Sequence, residues 1–456
     1  MASPGSTSTG SGVLTYVEFE VLGSPGATCP LTLTSVSLND GAIQTESAAG
    51  SFAVNVVYAI RGTVSFWNGG AAVPGVLCTL QGDRVYTGTS GSNGTFTVAG
   101  ADAGNYMLTP AKSDGVNGIS AYDASLVLQH DAGLITLSGR AATAADVNKS
   151  DQITAFDAFY ILQKAVDLIT LPFPGAGQVW VFDPANRSYT GLSSSQAGQD
   201  FTGILLGDVS GNWSPSGSSL IPPSGGSSRG SKDGSPPVVL ALRSLTTRSN
   251  GTQVGLLANV SEPGLYSLDL KLRYNATTNW VARVQAGGFA GGLALAANAD
   301  APGVVRAAFA GALPLRGIGA MLLLSLTNSS GGDFVIESAQ VNEGAVAVVV
   351  DKTQFDRDSD GDGVTDWLEI RAGTDALDRS SLFAFKDAQA NPDGSRVLTW
   401  SSVPGKRYQL LYQDEASASD WLPVGGEVTA DGLLCSRVDT SAASAAHRLY
   451  RVRLLE

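Results

Sequence analysis

Apolar and polar residues alternate along most of this chain, in short runs that end at Gly or Pro. Residues 58–110 show the pattern in Gly62–Phe66, and residues 238–350 show it in Tyr266–Leu272. Alternation between turn residues predicts half-buried strands in antiparallel sheets. Residues 382–456 continue the pattern. The chain is therefore predicted to be mainly β, as a string of β-sandwich domains.

The exception is a repeated segment with helical spacing. Ile119–Leu137 and Ile153–Leu171 are identical at ten of 19 positions, at an offset of 34 residues. In the second copy, Phe156, Tyr160 and Gln163 fall on one side of a helix. The segment therefore predicts two related loop-plus-helix units.

A second, weaker repeat relates Gly10–Gly41 to Gly317–Gly344. Both run through Gly-x-Gly, an apolar strand, a Gly turn, an alternating strand and Asn-x-Gly. A long series of strands precedes the second copy, whereas very few residues precede the first. We therefore expect residues 1–55 to be the closing strands of a sandwich whose opening strands are missing.

Composition narrows the range of partners. The 456 residues carry a formal net charge of −13, which argues against nucleic acid or an anionic membrane as partner.

No apolar run reaches about 18 residues, so no membrane span is expected. Met1–Gly12 lacks the pattern of a signal peptide, so an exported protein would have lost its true N-terminus. The three cysteines, Cys29, Cys78 and Cys435, show neither metal spacing nor a disulfide framework.

The most specific motif is an acidic loop at residues 358–369. Carboxylates occupy loop positions 1, 3, 5, 9 and 12, with Gly363 at position 6. Calcium takes six to eight oxygens, and a turn tightened by Gly lets alternate side chains converge on one ion. The alternative is a solvated acidic linker, in which carboxylates at this density would repel one another. The predicted calcium ligands are Asp358, Asp360, Asp362, Val364 (by its carbonyl), Asp366 and Glu369. With its trailing Gly373-Thr-Asp375, the loop resembles thrombospondin type 3 repeats.

A second set of oxygen-bearing side chains lies before the second repeated helix, at residues 146–157. It has the same spacing, with Ile153 at the usual hydrophobic position. The predicted ligands are Asp146, Asn148, Ser150, Gln152 (by its carbonyl), Thr154 and Asp157. A repeated loop-plus-helix of this kind resembles a dockerin, the small calcium module that binds cohesins, over about residues 112–171.

The first copy of the repeat has lost part of this spacing. Only Asp114, Ser120 and Asp123 keep oxygen side chains at the ligand positions. Further along, Gly207–Trp213 has the spacing of the front half of another loop. We hypothesise that Asp208, Ser210 and Asn212 complete a calcium site with the repeat. The alternative is an Asx turn at a strand end.

The dockerin resemblance also implies partner-binding residues. Loop positions 10 and 11 help dockerins to choose their cohesin. Here these positions hold Ala121 with Tyr122, and Ala155 with Phe156. A hydrophobic binding face is one interpretation. Packing of Tyr122 and Phe156 inside the helix pair or against residues 58–110 is the other.

The alternating segments resemble known sandwich modules. Gly264–Tyr274, Gly303–Phe309 and Pro314–Leu324 give residues 238–350 the pattern of a cohesin, which implies a jelly-roll sandwich. The predicted domains are a partial cohesin-like sandwich (1–55), a carboxypeptidase-regulatory-like or collagen-binding B-type sandwich (56–111), a dockerin-like module (112–171), a β extension with a half calcium loop (172–213), a linker (214–237), a cohesin-like sandwich (238–350), a thrombospondin type 3-like calcium loop (351–381) and an immunoglobulin-like, fibronectin type III-like sandwich (382–456).

No nucleophile elbow, zinc-protease motif or phosphate loop is present, and the protein is expected not to be an enzyme. We expect a calcium-stabilised extracellular or cell-surface bacterial scaffold or adhesion protein. Its expected partners are proteins with cohesin or dockerin modules, or further copies of itself. A carbohydrate-binding accessory of a polysaccharide-degrading system and a fragment of a secreted hydrolase are the alternatives.

Overall fold

The computed structural model describes residues 10–217, 231, 234–248, 251–327, 334–414, 420–445 and 447–455. Within these residues the chain is mainly β, with few and short helices. Most of the predicted linker at 214–237 lies outside the described residues. The chain divides into two compact units, of which the first comprises 1–66, 72–112 and 182–203, and the second the remainder.

The first unit begins with a hairpin of β1 (Thr28–Leu31) and β2 (Gly50–Ala53), whose side chains are exposed. Between them, Asn39 and Asp40 adopt positive φ angles of 50° and 53°. The turn at Asn342 and Glu343 in the second unit has the same conformation, with φ angles of 48° and 53°. The weaker sequence repeat thus corresponds to a repeated turn.

The rest of the first unit is built from two four-stranded sheets. One has the order β6-β3-β10-β8 and the other the order β5-β4-β7-β9. Phe96 and Phe201 pack in its core, with ring centroids 6.1 Å apart. Strands from both sides of the helical segment share these sheets, whereas the sequence separated 56–111 from 172–213. The strands are β3 (Tyr58–Phe66), β4 (Leu77–Gln81), β5 (Val85–Thr89), β6 (Thr95–Ala101), β7 (Gly104–Ala111), β8 (Trp180–Asp183), β9 (Arg187–Leu192) and β10 (Phe201–Leu205).

The second unit contains the helical module, formed by α1 (Ala121–Asp131), α2 (Gly139–Ala145) and α3 (Ala155–Ala165). Both repeated helices start at a capping box, in which a hydroxyl and a carboxylate satisfy the free backbone N–H groups of the first turn. Ser120 and Asp123 form the box of α1, and Thr154 and Asp157 that of α3. The repeated Ser/Thr-x-x-Asp sequence therefore fixes both helix starts.

Residues 238–350 form a bent sandwich. Both long strands change partners midway, and the pairing of β12 shifts register between Val260 and Ser267. The leucines of β12 at 268, 270 and 272 point into the core, so Asp269 points outward. In β15, Ala307 and Phe309 face the core, whereas Ala308 and Ala310 lie on the outer face. The strands are β11 (Val238–Arg248), β12 (Gly251–Arg273), β13 (Trp280–Ala286), β14 (Ala294–Asn298), β15 (Val304–Thr327), β16 (Val335–Val341) and β17 (Val348–Val350).

The acidic segment follows, with a 3-10 helix at Lys352–Asp356 and α4 at Asp366–Ala372. The C-terminal segment has two small sheets, ordered β18-β19-β23 and β21-β20-β22, and β24 also pairs with β20. Trp400 and Tyr408 lie in its core. The strands are β18 (Phe385–Ala390), β19 (Arg396–Ser401), β20 (Arg407–Gln413), β21 (Leu422–Pro423), β22 (Val428–Thr429), β23 (Leu434–Asp439) and β24 (Leu449–Leu454).

Candidate functional site

The acidic loop at 358–369 is organised around the carboxylate of Asp358. This group accepts backbone hydrogen bonds from Gly361 at 2.7 Å and from Gly363 at 2.8 Å. The two glycines have positive φ angles of 76° and 98°, a backbone conformation that favours Gly. These hydrogen bonds hold the pKa of Asp358 below its usual range. Side-chain oxygens of Asp358, Asp360 and Asp362 come within 4.8 Å of one another.

Three buried oxygens of this loop have no hydrogen-bond donor in the described residues: Asp360 Oδ2, Asp362 Oδ2 and Glu369 Oε2. Glu369 is 1% exposed. Burial, reinforced by the charges of Asp360 and Asp362, raises its pKa to about 7. Unpaired buried acceptors are costly, and a set made only of oxygens suits a hard cation such as calcium. The loop therefore fits a calcium ion by the chemistry of its donors.

Two predicted ligands of this loop make other contacts. Asp366 accepts hydrogen bonds from the backbone N–H of Ser359 at 2.9 Å and from its hydroxyl at 2.7 Å. The N–H of Val364 donates to Asp362 Oδ1 at 2.7 Å, and its carbonyl is the atom predicted to bind. Asp366 thus connects the start of α4 to the loop.

The loop is attached to the sandwich through a small apolar contact. Phe355 is fully buried in a cluster with Ala241 and Leu257. Arg243 forms an ion pair with Asp356 at 2.7 Å and lies over the ring of Trp367, 5.1 Å from its centroid. The position of the loop is therefore set on both sides by contacts with β11.

The loop at 146–157 has a similar backbone pattern. Asp146 accepts hydrogen bonds from the backbone of Ser150 at 3.0 Å and of Asp151 at 3.1 Å. Lys149 and Asp151 stand at loop positions 4 and 6 with φ angles of 58° and 62°, as Gly361 and Gly363 do in the acidic loop. Asp157 is fully buried, and burial raises its pKa.

The other predicted ligands of this second loop are tied to it by hydrogen bonds. The Asn148 side chain accepts from the backbone of Ser150 at 2.9 Å, and the Ser150 hydroxyl donates to the Gln152 carbonyl at 3.2 Å. Thr154 donates to Asp157 Oδ2 at 3.3 Å. The predicted ligands therefore lie in one connected turn.

The half loop at 207–213 lies against the first copy of the repeat. Asp208 accepts backbone hydrogen bonds from Gly211, Asn212 and Trp213 at 2.9, 3.1 and 2.9 Å. These donors hold the same loop positions as the backbone groups that donate to Asp358 in the acidic loop. The N–H of Ser210 donates to Asp123 Oδ1 at 2.8 Å. The structure thus brings together Asp208, Ser210, Asn212 and Asp123. Asp114 is exposed, and its carbonyl accepts a hydrogen bond from the Trp180 indole at 2.9 Å.

Glu343 of the sandwich joins this group, and the sequence analysis did not single it out. Its Oε1 accepts hydrogen bonds from the hydroxyls of Ser120 at 2.6 Å and Ser210 at 3.1 Å. Burial raises the pKa of Glu343, of Asp208 to about 6, and of Asp123 well above its usual range. The sequence feature that could have indicated Glu343 is the repeated Asn-x-Gly turn, whose middle residue is an acid in both copies, Asp40 and Glu343.

The helical module docks on the outer face of the sandwich. Asp269 accepts hydrogen bonds from the N–H of Ala121 at 3.0 and 3.2 Å, at the N-terminus of α1. The Asn298 side chain donates to the carbonyl of Val166 at 2.9 Å, at the C-terminus of α3. An acid at a helix N-terminus and a donor at a C-terminus both complement the helix dipole. Between them, Ala296, Ala308 and Ala310 share an apolar cluster with the helices.

The two repeated helices differ at the positions that face this surface. Ala121 and Ser125 of α1 are fully buried, whereas their equivalents Ala155 and Phe159 in α3 are exposed. Tyr122 is partly buried near Glu343 and Tyr266, and burial raises its pKa. Phe156, its equivalent, is 55% exposed and stacks on Phe159. One helix face is therefore engaged within the chain and the related face is open.

No family model matches the sequence, and the curated proteins contain no match. Among solved structures, the seventh ScaB type I cohesin from Pseudobacteroides cellulosolvens is 14% identical, with 25% of this chain and 88% of that chain covered and a TM-score of 0.22. A non-cellulosomal cohesin from Archaeoglobus fulgidus is 13% identical over 25% and 86%, also with a TM-score of 0.22. A cohesin–dockerin complex from Clostridium thermocellum gives 14% identity over 25% and 99%, with a TM-score of 0.22.

No helix in the described part of the chain has the length and apolarity that a bilayer span requires.

Proposed function

We propose that this protein is a non-catalytic, calcium-stabilised extracellular scaffold or adhesion protein that works through protein–protein assembly. The single observation that carries the proposal is the docked helical module. Its two helix ends meet an acceptor and a donor, Asp269 and Asn298, on the outer face of a sandwich. Paired polar contacts around an apolar centre are typical of a specific protein interface.

Calcium would occupy three loops in this proposal. The unpaired buried oxygen of Glu369 supports the acidic loop. The loops at 146–157 and 208–213 are supported by their backbone hydrogen bonds to a leading Asp, as in the acidic loop. In the third site, Asp208, Ser210, Asn212 and Asp123 would be joined by Glu343 from the sandwich. Calcium would therefore strengthen the interface as well as the loops.

The partners we propose are proteins with cohesin-like or dockerin-like modules, or further copies of this chain. The exposed aromatic pair of α3, Phe156 and Phe159, remains open for a partner while α1 is engaged. Folding of the loops would follow calcium concentration, because a ligand that binds only the folded state stabilises it.

The test is cleavage of the full chain between the two docked parts. A protease site placed within residues 218–230 would separate the helical module from the sandwich covalently. We expect the two fragments to elute together in calcium and to separate in a chelator. Fragments that separate in calcium would show that the docked contact is not a binding interface, and the proposed function would fail.

The matched control is the same cleavage in Asp269→Lys, which places a cation at the N-terminus of α1. Because the interface is weaker, its fragments should already dissociate at a higher protein concentration than those of the unsubstituted chain. Equal dissociation of both would mean that Asp269 does not contribute to recognition.

A further inference from the structure

The outer face of the sandwich is complementary to the helix pair through its own residues, whether or not the helices belong to the same chain. Along β15, Arg306, Ala308 and Ala310 point outward, since the residues between them face the core. The alanines leave room for close approach of α1. Arg306 lies 3.5 Å from Asp167, which follows α3. The face therefore combines a small-residue floor with polar contacts at its edges.

The complementary surface on the helical module is equally local. Ala121 offers its N–H to Asp269, and Ser125 is fully buried one turn further along α1. The side chain at the equivalent position of α3 is Phe159, which would not fit where Ser125 lies without displacing its neighbours. α1 is thus the helix whose side chains suit the alanine face.

The two surfaces are connected along the chain through residues 214–237, a Ser/Gly/Pro-rich stretch of sequence. This is the stretch that the sequence analysis predicts to be a linker. The polar contacts described above between the helical module and the sandwich join residues outside this stretch. The same contacts can therefore form between two chains.

We propose that a second copy of this chain is a partner of the docking interface, with the helical module of one copy seated on the alanine face of the other. This inference rests on the proposed function and names its partner. A linker of this length gives the pair within one chain an effective concentration on the order of mM. Docking between two copies therefore dominates in two cases: when the module is undocked from the sandwich of its own chain, and when the local concentration of the chain is high.

Two full-length variants test the exchange by complementation. Ala308→Phe blocks the alanine face and Ser125→Phe blocks α1, so neither variant can form the internal pair. Mixed at equal concentrations in calcium, they retain one intact combination: the helical module of the first and the sandwich of the second. We expect the sedimenting mass to rise from one chain, 46.7 kDa, to that of two chains in the mixture, while each variant alone remains a monomer.

Both substitutions lie on surfaces that become exposed once the module undocks, so the sandwich core and the helix pair are expected to persist. If Ala308→Phe fails to fold, Asp269→Lys replaces it as the blocked face. A mixture that stays monomeric, while the cleaved unsubstituted chain remains associated in calcium, would overturn the exchange and leave the proposed function intact. Dissociation of the cleaved chain would instead reject the proposed function itself.

Discussion

The carboxylate of Glu343 accepts a hydrogen bond from the Ser120 hydroxyl at 2.6 Å, across 223 residues of sequence. Ser120 caps the helix that docks on the sandwich, and Glu343 lies in a turn of the sandwich with φ of 53°. An acid in a sparsely populated backbone conformation persists only when its surroundings hold it there. The same carboxylate lies beside Asp123 and Asp208, so docking and the proposed third calcium site share a residue.

Glu343→Gln should have opposite effects with and without calcium. In a chelator, loss of the charge relieves repulsion with Asp123 and Asp208, and the melting temperature should rise. In calcium, loss of a charged ligand should weaken binding at the third site about tenfold or more, roughly 1.4 kcal/mol. Melting curves and calorimetric calcium titration measure the two effects.

Glu337→Gln is the matched control, because Glu337 pairs with Lys271 on the same sandwich and has a pKa lowered by that contact. It should leave calcium affinity unchanged. A Glu343→Gln protein with the same shift in both conditions would contradict the shared site.

Asp208→Ala should remove one calcium ion from the stoichiometry. Its carboxylate accepts three backbone hydrogen bonds and lies near Asp123, and alanine supplies no oxygen in its place. Asp131→Ala, which removes an exposed acid at the end of α1, should retain the full stoichiometry. Unchanged stoichiometry and affinity in Asp208→Ala would leave the Asx turn as the correct interpretation of residues 207–213.

Glu369→Gln should abolish most of the calcium-dependent stabilisation of the acidic joint. Glu369 is buried with an unpaired oxygen, and a neutral amide is a weaker calcium ligand than a carboxylate. Limited proteolysis within residues 351–381 should become insensitive to calcium. Asp378→Asn, an exposed acid of the same segment that hydrogen-bonds Ser380, should keep the calcium protection. Protection retained in Glu369→Gln would argue for a solvated acidic linker.

The interface should weaken with rising pH in a chelator. Burial raises the pKa of Asp269 to about 7, against an ordinary value near 4, because the charge of Glu343 adds to desolvation. The Asp269 carboxyl therefore binds its proton more tightly in the docked state than in the unfolded state. The free energy of unfolding is greatest at low pH and falls as pH rises from about 4 to about 7. One such group lowers the free energy of unfolding by up to about 1.4 kcal/mol for each pH unit. Chemical unfolding of the full chain at several pH values measures it.

Asp269→Asn keeps an oxygen for the Ala121 N–H and removes the titration, so part of this slope should disappear. Glu343, Asp123 and Asp208 face the same region with raised pKa values and should supply the slope that remains. A slope identical in both proteins would show that Asp269 ionises normally.

The sequence predicted the strands because alternation is a local property, and it predicted the repeated loop-plus-helix units because helical spacing is local as well. The capping of both helices by Ser120 and Thr154 was not predicted and came from the structure. The sequence also led to the hypothesis that Asp208 lies next to the repeat, because the ligand spacing of a loop can be recognised in consecutive residues. It did not indicate Glu343 or Asp269, because each reaches its neighbours through folding of distant segments. Nor did alternation reveal that Ala308 lies under a helix, since a small residue on an outward position looks the same whether it is solvated or covered.

The repeat itself allows a reciprocal test of docking. Ser125→Phe gives α1 the residue that α3 holds at the equivalent position, and the added ring must fit where Ser125 is fully buried. Overpacking of this kind costs about 1–3 kcal/mol, so the helical module should undock. Phe159→Ser is the matched control, because it removes an exposed ring from α3 and should leave docking unchanged. Hydrogen exchange at the Ala121 amide, which donates to Asp269, reports the docked state directly: we expect rapid exchange in Ser125→Phe and slow exchange in Phe159→Ser. Equal protection in both variants would mean that α1 does not hold the module on the sandwich.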